Sequence, residues 1–429
     1  MTAIAERTEL PLVGAKPDID YELMLDCVHC GLCTSACPTY VETGLEADSP
    51  RGRIYLMRGV IDGRVPLDDV VKNHLDLCLN CRACESACPS GVQYGKLIEP
   101  FRVHMVKTGE QQQHLPWIQQ QILEYIFPYR GRNKLALMPV RWLQALGLDN
   151  LLKPLLPKPL RAMLEMLPRL KPHYGQLPEL LPAEGPRRAR VGLFLGCVAD
   201  AIYPETNLAT AKVLQKNGCD VLIPRSQGCC GALHYHAGQE EPAIAFAQAN
   251  LHAFDWKSLD AIVVNAAGCG AMLKDYGHLL HGNAEGQAFA GKVKDISEFL
   301  IQLGPVKPEY PLKLRAAYHD ACHLCHAQQI RKPPRQLLEL IPELELVPLA
   351  ESEICCGAAG SYNLTQPDMA ERLGRRKVQH ILDTKAEALF AGNVGCLLQI
   401  ARHLKREAPK MWIAHPIDAL WASYSGIRI

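Results

Sequence analysis

The chain has no surplus of either charge, no long apolar run and no glycine-rich nucleotide motif among its 429 residues. Its 46 Lys and Arg stand against 45 Asp and Glu, a net charge of +1 with His neutral, so the basic surplus by which nucleic-acid binders hold phosphate is missing. No run reaches the roughly 18 apolar residues that a membrane-spanning helix needs. The first 14 residues show no basic stretch leading into an apolar one, so a signal peptide is not expected and the chain should remain in the cytoplasm. No Gly-x-Gly-x-x-Gly follows a strand-like run, so a self-contained nicotinamide or flavin site is not expected either. At 48% hydrophobic and 21% charged the composition excludes disorder and collagen, and the length allows roughly two to four globular domains.

What is abundant is cysteine, at 18 residues. In a reducing compartment metal ligation explains so many thiols better than disulfides do. The first group reads Cys27-Val28-His29-Cys30-Gly31-Leu32-Cys33-Thr34-Ser35-Ala36-Cys37-Pro38, and the second Cys78-Leu79-Asn80-Cys81-Arg82-Ala83-Cys84-Glu85-Ser86-Ala87-Cys88-Pro89. Both are C-x2-C-x2-C-x3-C-P. In that spacing three close thiolates bind three irons of a 4Fe-4S cube, and the fourth, followed by Pro, turns away to the cluster of the other run. One cluster is thus expected on Cys27, Cys30, Cys33 and Cys88, the other on Cys78, Cys81, Cys84 and Cys37. Each cysteine of the second run lies 51 residues after its counterpart, which marks an internal duplication. Small residues at Gly31, Ala36, Ala83 and Ala87 suit a backbone passing close to sulfides. A pair of four-thiolate zinc sites is the alternative, but zinc knuckles have no evident use for the third and fourth cysteines of each run.

Forty residues separate Cys37 from Cys78, and they include Ser49-Pro50-Arg51-Gly52-Arg53-Ile54-Tyr55-Leu56-Met57, which reads as a helix with Pro50 in its first turn. An α-helical two-cluster domain over 18–110 is expected rather than a β one. Arg51 and Arg53 are candidates to face the clusters and stabilise their reduced state; the alternative is that they are solvated or paired with carboxylates.

From Arg190 the pattern changes. Strand-like runs at Arg190–Leu195, Asp220–Pro224 and Ala261–Asn265 lead into Cys197, Cys229-Cys230-Gly231 and Cys269, with a helix expected over Asn207–Asn217. A second set at Leu314–His319, Glu343–Pro348 and Ala388–Asn393 leads into Cys322, Cys355-Cys356-Gly357 and Cys396. The matching cysteines are 125 to 127 residues apart, so this half is duplicated too. The grammar is βαβ, which implies two parallel-sheet, Rossmann-like α/β domains, over 190–304 and 312–425, with thiols at the strand ends where open sheets bind ligands. Cys197, Cys229, Cys230, Cys269, Cys322, Cys355, Cys356 and Cys396 are therefore candidates for one or two further iron-sulfur clusters, against a reading as buried apolar residues, which fits the unpaired Cys219 and Cys325. His234, His236, His319 and His323 flank these thiols as candidate ligands or proton carriers. Residues 111–189 are expected to form a helical, proline-rich basic linker. Leu151–Arg190 holds eight Pro, eleven Leu and eight Lys and Arg against three acidic residues, and reads either as a strap over a neighbouring domain or as a docking surface for anionic lipid or a partner.

Two such ferredoxin-type runs followed by two Cys-Cys-Gly repeats resemble the iron-sulfur subunits of flavin-linked oxidoreductases, including glycolate oxidase, anaerobic glycerol-3-phosphate dehydrogenase, heterodisulfide reductase and lactate-utilisation proteins. Cys27–Cys33, Ser49–Leu56, Cys229–Ala232, Ala267–Ala271 and Asn393–Cys396 look most like the glycolate oxidase (glycolate dehydrogenase) iron-sulfur subunit. The resemblance implies an electron-transfer subunit with no catalytic residue of its own. It would take electrons from flavin-containing partner chains that oxidise glycolate to glyoxylate and pass them toward the quinone pool, with peripheral contact to the cytoplasmic face of the membrane. The alternatives are the equivalent subunit of a lactate or glycerol-3-phosphate dehydrogenase, and an autonomous reductase acting on a disulfide or quinone at a Cys-Cys-Gly metal site. Heterodisulfide reductase carries a fifth thiolate in its repeat; here those positions are Met272 and Gln399, so its disulfide-cleaving site does not carry over.

Overall fold

The computed structural model describes residues 19–110, 116–148, 156–170 and 176–427. It divides into two compact units, one within Met1–His114 together with Tyr235–Gln239, the other within Leu115–His234 and Glu240–Ile429. The described residues of the first unit form helices and no strand. Local chemistry sets their ends. Pro38, just after Cys37, opens the helix Pro38–Thr43, which Gly44 closes in the left-handed region at φ 67°. Ser49 caps the helix Pro50–Ile61 by accepting the Gly52 N–H at 3.0 Å. Only glycine fits at 52, because a Cβ there would lie 2.0 Å from the Glu46 carbonyl oxygen. Asp68 caps Asp69–Asp76 through the Val71 N–H at 3.0 Å. These helices and Gly95–Lys107 enclose a core of Met24, Ile54, Met57, Leu75, Leu97, Ile98 and Phe101, into which Cys78 and Cys84 project.

The second unit contains two sheets. Strands β1 (Leu180–Leu181), β2 (Ala189–Phe194), β3 (Cys219–Leu222), β4 (Ala261–Val264) and β5 (Val293–Asp295) lie in the order β1-β3-β2-β4-β5. Strands β6 (Leu314–His319), β7 (Leu344–Val347), β8 (Ala388–Ala391) and β9 (Trp412–Ala414) lie in the order β7-β6-β8-β9. Every pairing is parallel except β1 with β3. The apolar runs read from the sequence are these strands to within one or two residues at their ends. The edge strands β1, β5 and β9 went unread, being two or three residues long. Between β2 and β3 the helix Pro204–Lys216 starts three residues before the expected one, because Pro204 takes its first turn.

One apolar core serves both sheets: Val191, Leu193 and Val263 pack in the same cluster as Ala316, Tyr318 and Phe390. Hydrogen bonds join the sheets at their carboxyl ends, with the Ala267 N–H donating to the Gly392 carbonyl at 3.0 Å and the Gly268 N–H to the side-chain Oδ1 of Asn393 at 3.3 Å. Of the proline-rich stretch, residues 151–155 and 171–175 lie outside the described residues; its remainder includes the helix Lys158–Met166 and β1, and Leu170 is buried with Leu137, Ala201, Ile202 and Leu398.

Asp295 caps the helix Ile296–Leu303, accepting the Ser297 N–H at 2.8 Å, yet it is buried, and burial raises its carboxyl from the ordinary 3.8 to about 6. The folded state therefore favours the proton, and this contribution to stability is lost as pH rises from 3.8 through about 6. Asp295→Asn keeps a capping oxygen without the buried charge. It should stabilise the fold at pH 7.5 by up to about 3 kcal/mol, a gain that shrinks as pH falls toward 4, read from denaturant midpoints followed by circular dichroism.

Candidate metal centres

In the helical unit the loops Cys27–Cys33 and Cys78–Cys84 share an unusual backbone. His29 (φ 55°) and Gly31 (φ 84°) flank Cys30, and Asn80 (φ 50°) and Arg82 (φ 58°) flank Cys81, all four in the left-handed region. Two such residues around the middle cysteine curl the chain so that three thiols face one side. Asn tolerates this conformation and Gly is free in it, but Arg82 is strained. Arg82 is held by an ion pair from its Nη2 to Glu99 Oε2 at 3.1 Å, while Asn80 Nδ2 donates to Glu99 Oε1 at 2.6 Å and His236 Nδ1 lies 2.9 Å from the same oxygen. Burial alone would raise the Glu99 carboxyl, but Arg82, His236 and Asn80 hold it well below the usual carboxylate range.

Two cavities adjoin these loops. Cys27, Cys30, Cys33 and Cys88 line one, together with Cys84; Cys37, Cys78, Cys81 and Cys84 line the other, so that Cys84 stands between the two. The fourth thiol of each set comes from the other run. The sets differ in setting: Cys30 is exposed and Cys27, Cys33 and Cys88 are half-buried, whereas all four of the second set are buried. Burial, reinforced by Cys81 and Cys78, pushes the Cys84 thiol far up, so it takes a bound cation to draw such a thiol to the thiolate. Donors also point at these sulfurs, the Asn80 N–H at 3.4 Å and the Tyr94 hydroxyl at 3.6 Å from Cys78 Sγ. Four converging thiols in an apolar, donor-lined pocket suit a 4Fe-4S group in each cavity.

Arg51 and Arg53 part company. Arg51, half-exposed, pairs with Glu46 at 2.6 Å and donates to the His29 carbonyl at 2.9 Å. Arg53 is fully buried and lines the second cavity.

In the α/β unit the thiols also gather into two groups, each where the strands end. Cys197 Sγ donates to Cys229 Sγ at 3.4 Å, and Cys230 donates to both Cys229 and Cys269. Cys322 Sγ lies 3.9 Å from Cys355 Sγ, and Cys356 donates to both Cys355 and Cys396. The cysteine that accepts from two neighbours, Cys229 or Cys355, is drawn well down, and the donors Cys197, Cys230 and Cys356 are pushed up. Cys219 and Cys325 stand outside both groups, fully buried, and burial pushes the Cys219 thiol up to about 12. At the fifth-thiolate positions Met272 is buried and Gln399 spends its amide on the Ala370 carbonyl at 2.9 Å.

The two groups have different surroundings. His319 donates from Nδ1 to the Ser352 carbonyl at 3.0 Å, and one of its ring nitrogens lies within 4.8 Å of the Cys356 and Cys396 sulfurs. Its counterpart by cysteine spacing in the first group is Phe194. Lys377, buried on the helix Pro367–Asp383, donates to the Glu351 carbonyl; burial pulls its pKa down while Cys356 and Cys355 hold it up. Ala243 packs on Gly231 as Ala370 packs on Gly357, so Asn250 is the match of Lys377. Asn250 Nδ2 donates to the Cys229 carbonyl at 2.7 Å and to the Tyr276 hydroxyl at 3.0 Å. The second group thus has a cation and an imidazole where the first has an amide and a phenyl ring. Lys377 escaped sequence reading because Arg375-Arg376-Lys377 looks like a solvated helix face. Of the other histidines, His234 is buried against Phe246 at 5.5 Å, His236 belongs to the helical unit, and His323 opens the turn after Cys322.

Residues 23–92 match the family described as a 4Fe-4S dicluster domain, and residues 191–274 and 316–401 match the cysteine-rich domain. The probable glycolate oxidase iron-sulfur subunit of Bacillus subtilis (strain 168) is 37% identical over 423 residues, 94% of this chain and 95% of the relative. The glycolate oxidase iron-sulfur subunit of Escherichia coli (strain K12) is 36% identical over 90% of this chain and 92% of its own. Lactate utilization protein A of Geobacillus kaustophilus (strain HTA426) is 32% identical over 54% of this chain and 98% of its own. With its paired 4Fe-4S motifs, its two cysteine-rich domains and relatives matched nearly end to end, the chain belongs to the family of glycolate oxidase iron-sulfur subunits.

Proposed function

We propose that this chain is the electron-transfer subunit of a flavin-dependent 2-hydroxy-acid dehydrogenase, with glycolate as the substrate oxidised on partner chains and the quinone pool as the destination of the electrons. The observation that carries this reading is the pair of cavities lined by thiols of both runs, with Cys27, Cys30, Cys33 and Cys88 partly or fully exposed and Cys37, Cys78, Cys81 and Cys84 buried. Cys27, Cys30, Cys33 and Cys88 hold one 4Fe-4S cluster, and Cys78, Cys81, Cys84 and Cys37 the other. When bound, the clusters supply one-electron transfer without proton or group chemistry. The protein's own part is to hold the thiols, exclude water from the inner set and leave the outer set open. Val28 and Leu32, inside the outer loop, are exposed apolar residues that suit a small redox interface with a flavin-bearing chain.

The α/β unit is read as a duplicated pair of Rossmann-like domains, 190–304 and 312–425, following the helical domain 18–110 and the segment 111–189. The order β3-β2-β4-β5, repeated as β7-β6-β8-β9, supports the duplication. Its two thiol groups are further cluster or metal sites, and His319 beside Cys356 and Cys396 favours the second.

Among the described residues no helix is long and apolar enough to cross a membrane. Contact with the cytoplasmic membrane surface is supported instead by the helix Arg130–Ala145 and the turn after it, where Leu135, Met138, Trp142 and Leu146 form an exposed apolar stripe with Trp142 at 67% exposure. The helix has no acidic residue to repel anionic lipid, though Arg130 and Lys134 are both turned to Asp200.

Two experiments test this reading. In anaerobically purified protein examined by EPR, Cys88→Ser should remove the same signal as Cys30→Ser, and Cys37→Ser the same signal as Cys81→Ser; loss of one signal by both Cys30→Ser and Cys37→Ser would refute the crossed ligation. Vesicles containing phosphatidylglycerol should co-sediment the wild type, and Trp142→Ser should weaken binding roughly tenfold, from about 1.5 kcal/mol or more of lost apolar burial. Equal binding by both proteins would remove the stripe from the account.

A further inference from the structure

Arg53 is the largest fully buried side chain among the described residues, and its surroundings are those of a charge placed for a purpose other than solubility. Its Nε donates to the His74 carbonyl at 2.6 Å, Nη2 to the Thr39 hydroxyl at 3.0 Å, and Nη1 faces Cys37 Sγ at 3.9 Å. The only acidic group paired with it among the described residues is Asp48, itself buried, at 3.7 Å, and Asp48 also bonds His74 Nδ1 at 2.8 Å. The guanidinium thus contacts both a thiol of the inner cavity and a carboxylate.

An arginine removed from water costs several kcal/mol unless opposite charge repays it. One carboxylate at 3.7 Å, shared with a histidine, is a thin repayment. The inner thiols, once ionised around a cluster, supply the rest. The same burial has a consequence for reduction, which adds one negative charge to the site: away from water that charge is disfavoured unless a fixed cation stands beside it. Arg51, half-exposed and paired with Glu46, is screened and cannot serve in the same way.

We propose that Arg53 is the residue that tunes the inner cluster, stabilising its reduced form and so raising its potential, and that Asp48 behind it limits the effect. Arg53 acts through charge at a fixed place and is a positioning residue, not a ligand. The inference rests on the proposed inner ligand set of Cys37, Cys78, Cys81 and Cys84.

The test is a mediated redox titration of the whole protein followed by EPR, with electrons supplied by dithionite. Cys37→Ser first identifies which midpoint belongs to the inner set. Arg53→Met should then lower that midpoint by about tenfold or more in the reduction equilibrium, about 59 mV for one electron. Arg53→Lys, which keeps the charge, should recover most of the shift. Asp48→Asn should move the same midpoint upward, and Arg51→Met should leave it in place. Opposite shifts for the Arg53 and Asp48 variants cannot come from general loosening of the fold. If Arg53→Met does not retain its cluster, Arg53→Gln, which removes the charge but keeps amide donors, takes its place and should show the same downward shift. An unchanged inner midpoint in Asp48→Asn, or in an Arg53→Met or Arg53→Gln protein that keeps its irons, overturns the role of Arg53 alone; retention of both midpoints in Cys37→Ser overturns the ligation and this inference with it.

Discussion

Each cavity of the helical unit is closed by a cysteine that the other run sends into it, Cys88 into the first and Cys37 into the second. Much else in the unit follows from that exchange. A proline succeeds both crossing cysteines and turns the chain away at once, and the helix Pro38–Thr43 begins there. The paired loops must lie close together, so the 40 residues between them fold back, in part as the helices Pro50–Ile61 and Asp69–Asp76, and the first of these carries Arg53 into the wall of the second cavity. Cys78 and Cys84 are part of this unit's apolar core, which makes metal binding part of its folding free energy.

Polarity then sorts the sites. The outer loop presents Cys30 together with apolar Val28 and Leu32 at the surface, an arrangement that costs stability in an isolated chain and makes sense against a partner. The thiols of the inner set are buried, and the charges beside them are paired: Arg53 with Asp48, and Arg82 with Glu99. The α/β unit shows the same economy of charge in another form. Its two thiol groups arise from the same strand order and the same spacing, but Phe194 and Asn250 in one stand where His319 and Lys377 stand in the other. The two cysteine-rich domains thus share the thiols and differ in the electrostatics around them.

Much of this was legible in the sequence because it depends on local spacing. The C-x2-C-x2-C-x3-C-P runs pointed to the thiols that gather at the two cavities, Cys84 lining both, Pro50 after Ser49 marked a helix start, and apolar runs of four to six residues marked β2, β3, β4, β6, β7 and β8. What escaped depends on distant partners. The left-handed turn at Arg82 is tolerable only because Glu99, 17 residues on, reaches back to it. Lys377 and Arg53 carry charges whose burial no local pattern betrays. Leu180 and Leu181 read as part of a basic, leucine-rich strap, yet they add an antiparallel edge to a parallel sheet by pairing with Leu222 and Val221.

The most direct test of the account is a count of iron and acid-labile sulfide per chain on anaerobically purified protein, with EPR of the reduced form. Two cubane clusters in the helical unit require about eight irons and eight sulfides with two interacting signals, and any excess would belong to the thiol groups of the α/β unit. A chain that binds zinc in place of iron, or holds only about four irons, would contradict a two-cluster relay.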